Sequence, residues 1–366
     1  MAASRSSLRR RLVVLAGALI ALPLLGELWA RAWVGYGNPR RIVGSETMGY
    51  RLEPGQTIAG PRGAREQINA RGYRDREWPA TPPSGLRVAV LGDTAAYSPG
   101  VALEASWPRL LEQGLRERGI EATVFRLAVP GYTVSQMFAA WRADGRALAP
   151  QLVLAELSPT SVRPMRVLHE PEHYPLERLL RRSALWDWAR RRWLVRPAGE
   201  GWPAERRVLA DPYDARNDAL WNGARSQLAQ LHEELHALGA ELVVLAAPRL
   251  EAALDPARED SRWRAWAEEH SVLYLSPAAE LHSAMLPLIE ELAAGALSPE
   301  QVWNRDSDAV RLTPEHIAAA CFLPEDPVHV DECGHAAVAR AVLPALEPLV
   351  ERAGTAPGSV HPPPGR

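Results

Sequence analysis

The sequence contains no lysine; all 42 basic side chains are arginine. This excludes a phosphate-loop lysine, a Schiff-base lysine and a lysine general base. Cysteine is nearly absent: Cys321 and Cys333 are the only two, too few for a four-cysteine zinc site or a cysteine-ligated iron–sulfur cluster. A dinucleotide-binding turn is missing as well, because Gly92-Asp93 lacks the further glycines that turn needs. Nor is there a surplus of positive charge. The net charge is -2, so no basic field argues for nucleic acid. What is present is 366 residues of ordinary globular composition, 47% hydrophobic and 23% charged, enough for one large domain or two small ones.

The amino terminus is asymmetric. Arg5, Arg9, Arg10 and Arg11 precede an apolar run, residues 12–26, broken only by Pro23. Trp29, Trp33 and Tyr36 follow as an interfacial belt would. Basic residues ahead of an apolar run place the remainder of the chain across the membrane. Residues 1–11 then read as a cytoplasmic stub and 12–34 as a single-pass anchor. A cleaved signal and a buried helix are the alternatives, since the uncharged core is short for a spanning helix. Export leaves Cys321 and Cys333 free either to bridge or to remain two buried thiols.

Residues 40–353 read as one domain. Its first part, 40–83, is rich in Gly, Pro and Arg and is expected to wrap the core. From Leu86 onward, short apolar strands alternate with amphipathic helices. The strands fall at 86–91, 122–128, 152–157, 241–248 and 272–275, and the helices at 106–119, 135–148, 217–238, 262–270 and 334–349. This alternation predicts a parallel α/β sheet sandwiched by helices, with its site at the carboxyl ends of the strands. Residues 160–216 form an insertion whose centre mixes Arg178, Arg181, Arg182 and Arg190 with Leu180, Leu185, Trp186 and Trp188. It suits a helical cap over the site, or a helix resting on a membrane surface. A second insertion, 283–325, has no clear pattern. The Pro/Gly-rich tail, 354–366, reads as disordered.

Three loops carry the chemistry. Gly92-Asp93-Thr94 follows the first strand and sets a hydroxyl on a sharp turn. Val129-Pro130-Gly131 follows the second, where glycine lets the backbone approach a ligand. Asp326-Pro327-Val328-His329 precedes the last helix, and an Asp three residues before a His can orient its ring. A nucleophile, a donor and a base drawn from three loops fit acyl transfer.

With these motifs in place, the sequence from about Ile68 to Leu349 resembles the SGNH/GDSL hydrolase superfamily of esterases and lipases, which have a flavodoxin-like fold. Residues 68–74 (INARGYR) look like the lead-in of exported members, 91–101 (LGDTAAYSPGV) like the nucleophile block, and 128–133 (AVPGYT) like the second block. Residues 150–161 lie where the third block falls, and Asp326-Pro327-Val328-His329 with Gly334-His335 matches the last. The resemblance implies Thr94 as nucleophile, His329 as base and Asp326 as the residue orienting it. Gly131 and Thr160 would be oxyanion donors, and no metal or cofactor is implied. The departures are Thr94 in place of serine, Thr160 in place of asparagine and Arg126 where the second block has asparagine. Threonine's extra methyl restricts χ1 and crowds the attack path. Asp93 is expected to hold the loop, and Ser98 to be a turn residue rather than a substitute nucleophile.

His232-Glu233-Glu234-Leu235-His236 matches a zinc-protease pattern. Leu228, Leu231, Leu235 and Leu238 run through it at core spacing, so the histidines read as the flank of a core helix. His169 and His173 read as loop residues, because Pro171 disfavours a helix between them. His335 is expected to pack beside the site, and Trp107 and Trp141 to begin or line helices near it. The resulting expectation is an exported, membrane-anchored ester hydrolase acting on acylated carbohydrate or lipid. Its alternatives are an inactive glycan- or protein-binding domain and an O-acyltransferase.

Overall fold

The computed structural model describes residues 2–32, 41–59, 64–165, 180, 183–189, 201–259, 261–297, 302, 319–323 and 326–355. Helix α1, Ala2–Ala32, opens the chain. Two antiparallel hairpins follow: β1 (Ile42–Ser45) with β2 (Gly49–Leu52), and β3 (Thr57–Ala59) with β4 (Arg65–Gln67). The sheet then begins with β5 (Leu86–Gly92), α2 (Thr94–Tyr97), α3 (Trp107–Glu117), β6 (Ala122–Ala128), α4 (Val134–Ala140) and β7 (Leu152–Leu157). The cap insertion contributes α5 (Ala184–Ala189) and α6 (Gly201–Ala210). After it come α7 (Asp218–Ala237), β8 (Glu241–Ala246), α8 (Leu250–Leu254), α9 (Ser261–Glu269), β9 (Leu273–Leu275) and α10 (Ala278–Ala293). A short hairpin, β10 (Phe322–Leu323) and β11 (Asp326–Val330), leads into the last helix, α11 (Glu332–Thr355).

Five strands form one parallel sheet in the order β6-β5-β7-β8-β9, sandwiched by helices, as the alternation predicts. Every residue of β7 is buried, because helices cover both faces of the sheet and water reaches neither. On α7, Leu228, Leu231 and Leu235 turn inward at the spacing read from the sequence. The order reverses at β5, whose neighbours β6 and β7 lie on either side. Loops leaving such a reversal diverge and open a crevice at the carboxyl ends. The Thr94 turn sits there.

Four expectations need correction. The 40–83 segment does more than wrap: Met48, Tyr50, Leu52, Ile58, Ile68 and Tyr73 all enter the main core. The patternless insertion begins with the long helix α10, which buries Leu281, Met285 and Leu288 in a second apolar cluster with Phe322 and Val330. The helix expected over 135–148 is regular only to Ala140 and then widens into a π turn over Trp141–Gly145. Gly354 and Thr355, expected to begin the disordered tail, instead continue α11; the rest of that tail, and His169 and His173, lie outside the described residues. The sulfurs of Cys321 and Cys333 are bonded, tying the β10 hairpin to the start of α11.

Candidate active site

β5 delivers its last residue, Gly92, beneath the turn that bears Thr94. A Cβ on Gly92 would lie 2.5 Å from the Ala96 Cβ, so only glycine lets the chain turn so tightly into α2. That four-residue helix has no side-chain cap; the left-handed Ser98 closes it with its N–H on Thr94 O at 2.9 Å. Its carbonyls are collected by two buried guanidiniums. Arg126 donates to Ala96 O (3.3 Å), Tyr97 O (3.0 Å) and Ser106 Oγ (2.8 Å), while Arg74 donates to Tyr97 O (3.0 Å) and to Ser98 O. Arg126, the departure in the second block, thus supports the turn that bears Thr94. Its burial lowers the guanidinium to about 9, with Asp75 opposing the shift, so it stays cationic at neutral pH. Ser98 is fully buried in the left-handed conformation, with its hydroxyl on Ala95 O and Ala96 O. It is a turn residue, as expected.

Asp93 is the hub of the site. Its Oδ1 accepts the Thr94 hydroxyl at 2.7 Å and also the Gly131 backbone N–H; its Oδ2 accepts Arg163 Nη2 at 3.0 Å. The loop-holding role expected of Asp93 therefore extends to both the candidate nucleophile and the candidate oxyanion amide. Gly131 has φ +89°. It is pressed against Tyr50, whose hydroxyl donates to Pro130 O at 2.7 Å. Tyr132 donates to Tyr50 O at 2.9 Å, so the β1–β2 hairpin braces the second loop.

Thr160 lies in the turn Pro159–Val162 at the end of β7, its hydroxyl 3.0 Å from Ser158 Oγ. Arg163, which the sequence did not single out, donates to Thr160 O at 2.8 Å and reaches Glu205 of the cap at 4.0 Å. His329 is half-buried on β11. Thr94, Thr160 and His329 line one cavity of about 370 Å³, with Asp93, Glu156 and Arg249. Cap residues Leu209, Ala210 and Pro212 complete its wall, so this part of the insertion does cover the site. The Asp326 backbone is in β11, but its side chain lies outside the described residues.

Two buried groups have displaced titrations. Burial raises the carboxyl of Glu156, at the end of β7, to about 8 and outweighs the amides of Ala96 and Asp93, which favour its charged form. It is therefore largely protonated at neutral pH. His335, wholly buried as expected beside the site, is lowered to about 3 by burial and by Arg126 and Arg74, and stays neutral. His232 and His236 lie on the flank of α7, and no group of three candidate metal ligands occurs among the described residues. Trp107 begins α3, and Trp141 follows α4; both are buried.

No family model matches the sequence, and no curated protein matches it. Solved structures to which this chain is similar include a catalytic mutant of an acetylxylan esterase from Geobacillus stearothermophilus. It is 17% identical, with 72% of this chain and 95% of that one covered and a TM-score of 0.42. A GDSL-like lipase from Bacteroides thetaiotaomicron is 13% identical, with 72% and 88% covered and a TM-score of 0.35.

Proposed function

We propose that the chain is a divergent SGNH-type ester hydrolase, exported and held at the cell membrane by its amino-terminal helix. The observation that supports this reading is a cavity of about 370 Å³ lined by Thr94, Thr160 and His329. In the proposed reaction Thr94 Oγ1 attacks the ester carbonyl carbon and passes its proton to His329 Nε2. Asp326 orients the imidazole ring. Oxyanion charge develops against the amides of Thr94 and Gly131 and the Thr160 hydroxyl. His329 then returns the proton to the departing alcohol, and water releases the acid from the acyl-threonine. The polar wall, with Asp93, Glu156, Ser158 and Arg249 in it, suits a short acyl group on a polar alcohol, such as an O-acyl ester of an envelope carbohydrate or a lipid headgroup.

A second reading, a binding domain without turnover, has one specific observation in its favour. Asp93 holds both the Thr94 hydroxyl and the Gly131 amide, the two groups that attack and oxyanion binding require. Hydrolysis of p-nitrophenyl acetate by the full chain in detergent separates the readings. Turnover that His329→Ala abolishes, together with labelling of Thr94 by a fluorophosphonate, supports the hydrolase. Activity no greater than that of His329→Ala supports the binding domain.

A further inference from the structure

Helix α1 is bare where a soluble helix would be covered. Leu15, Leu19, Leu22 and Leu25 are each between 61% and 69% exposed, and Arg10–Ala32 is long and apolar enough to cross a membrane. A removable signal sequence meets that description equally well. The last turns of the helix behave differently. Glu27 Oε2 accepts hydrogen bonds from Ser183 Oγ at 2.6 Å and Leu185 N at 3.0 Å, and Oε1 accepts from Ala184 N at 2.9 Å. Arg31 closes the arrangement from the same helix at 2.6 Å. Trp29 meets Trp188 edge to face, with ring centroids 5.3 Å apart. Gly26 is packed so tightly on Leu185 that a Cβ there would lie 2.8 Å from Cδ2. Ala30 is completely buried.

A carboxylate in an otherwise apolar spanning segment is costly unless it is paired. Here its partners come from α5, in the cap insertion. A leader destined for removal has no use for such partners.

We propose that α1 is a retained working part of the protein: its exported end clamps the cap insertion through Glu27 and fixes α5 at the bilayer surface. This inference rests on the membrane-anchored reading and adds to it a docking surface. The same insertion supplies Leu209 and Ala210 to the candidate active site. The belt formed by Trp29 and Trp188 is chemistry suited to the lipid–water boundary.

The test uses the full chain in bacterial membranes. Gly26→Cys with Leu185→Cys forms the reporting pair, and Leu24→Cys with Leu185→Cys the control, since Leu24 is exposed. The native cysteines are already bridged to each other. Oxidation is expected to cross-link the first pair at least tenfold more than the control, intact mass to include residues 2–32, and Glu27→Ala to lower the cross-link severalfold. A mature chain lacking those residues overturns both the anchor and its docking. A membrane-bound chain of full length whose reporting pair reacts no faster than the control overturns docking alone. An unchanged yield in Glu27→Ala removes Glu27 from the clamp.

Discussion

Gly131→Ala tests whether the second loop is built as described. The residue has φ +89°, a conformation that costs a residue with a Cβ about 1–2 kcal/mol. The new methyl would also lie 2.6 Å from Tyr50 Oη, closer than a Cβ tolerates, so the phenol must leave Pro130 O. Losing that hydrogen bond costs about 1 kcal/mol more, and repacking of the tyrosine pair, whose centroids are 5.5 Å apart, adds to it. The expected destabilisation is about 2–4 kcal/mol, read as a lowered urea midpoint at unchanged slope. Tyr50→Phe removes the oxygen that the methyl meets. In that background the cost of Gly131→Ala should fall by about 1 kcal/mol, leaving the backbone strain. Activity should drop about a hundredfold in either background, since a shift of about 1 Å in the proposed oxyanion donor, the Gly131 amide, is enough for that. A substitution costing under about 0.5 kcal/mol, or equal costs with and without the Tyr50 hydroxyl, refutes the description of this loop.

Other substitutions probe different links. Thr94→Ser frees χ1 and should raise p-nitrophenyl acetate turnover about tenfold or more; equal or lower turnover would mean that the methyl does not obstruct attack. Glu156 has a folded value of about 8, above the ordinary 4.5, so the folded state holds the proton more tightly than the unfolded chain does. Stability should therefore decline as pH rises from about 4.5 to 8, and Glu156→Gln should flatten that slope in urea titrations made across the range. Breaking the Cys321–Cys333 bridge, which spans a sequence separation of 12, by paired substitution with serine should cost about 3 kcal/mol in the same assay. An unchanged urea midpoint would show that the bridge does not constrain the unfolded chain.

The strands of the main sheet were legible because each is a short apolar run closed by turn residues, and burial on both faces leaves that signature in composition alone. Helix α10 was hidden by Pro287, which reads as a breaker, although Leu281, Met285 and Leu288 keep helical spacing around it. The hairpins of the 40–83 segment were hidden by brevity: three- and four-residue strands carry too little period to detect. At the site, motif order singles out Thr94, Gly131, Thr160 and His329 as candidates, and three of them line one cavity. It could not find Arg163, because its partner Asp93 is 70 residues away and nothing local marks the pair. Asp93 is legible as a loop holder, but nothing in the local sequence marks its grip on the Thr94 hydroxyl.

The absence of lysine bears directly on how the turn bearing Thr94 is held. The C-terminal carbonyls of α2 point into a region where Arg74 and Arg126 are at most 1% exposed. Each guanidinium serves several oxygens at once: Arg126 reaches two carbonyls and the Ser106 hydroxyl, and Arg74 reaches Tyr97 O, Ser98 O and Val101 O. A planar fork with five donors can do this while keeping its charge under burial; an ammonium is a point donor that readily loses its proton there. Counter-charge comes from Asp75, which accepts from Arg109, from the Arg126 amide at 3.0 Å and from Trp78 at 2.8 Å. Glu112 in turn takes Arg109 and the Val124 amide, each at 2.7 Å. The lead-in loop, α3 and β6 are thereby tied to the turn that presents Thr94. Arg126→Lys should therefore fail to restore what Arg126→Met loses, because the Ala96 and Tyr97 carbonyls and the Ser106 hydroxyl lie in more directions than one ammonium satisfies. Full rescue of thermal stability by lysine would mean that charge alone, not the fork, supports the turn.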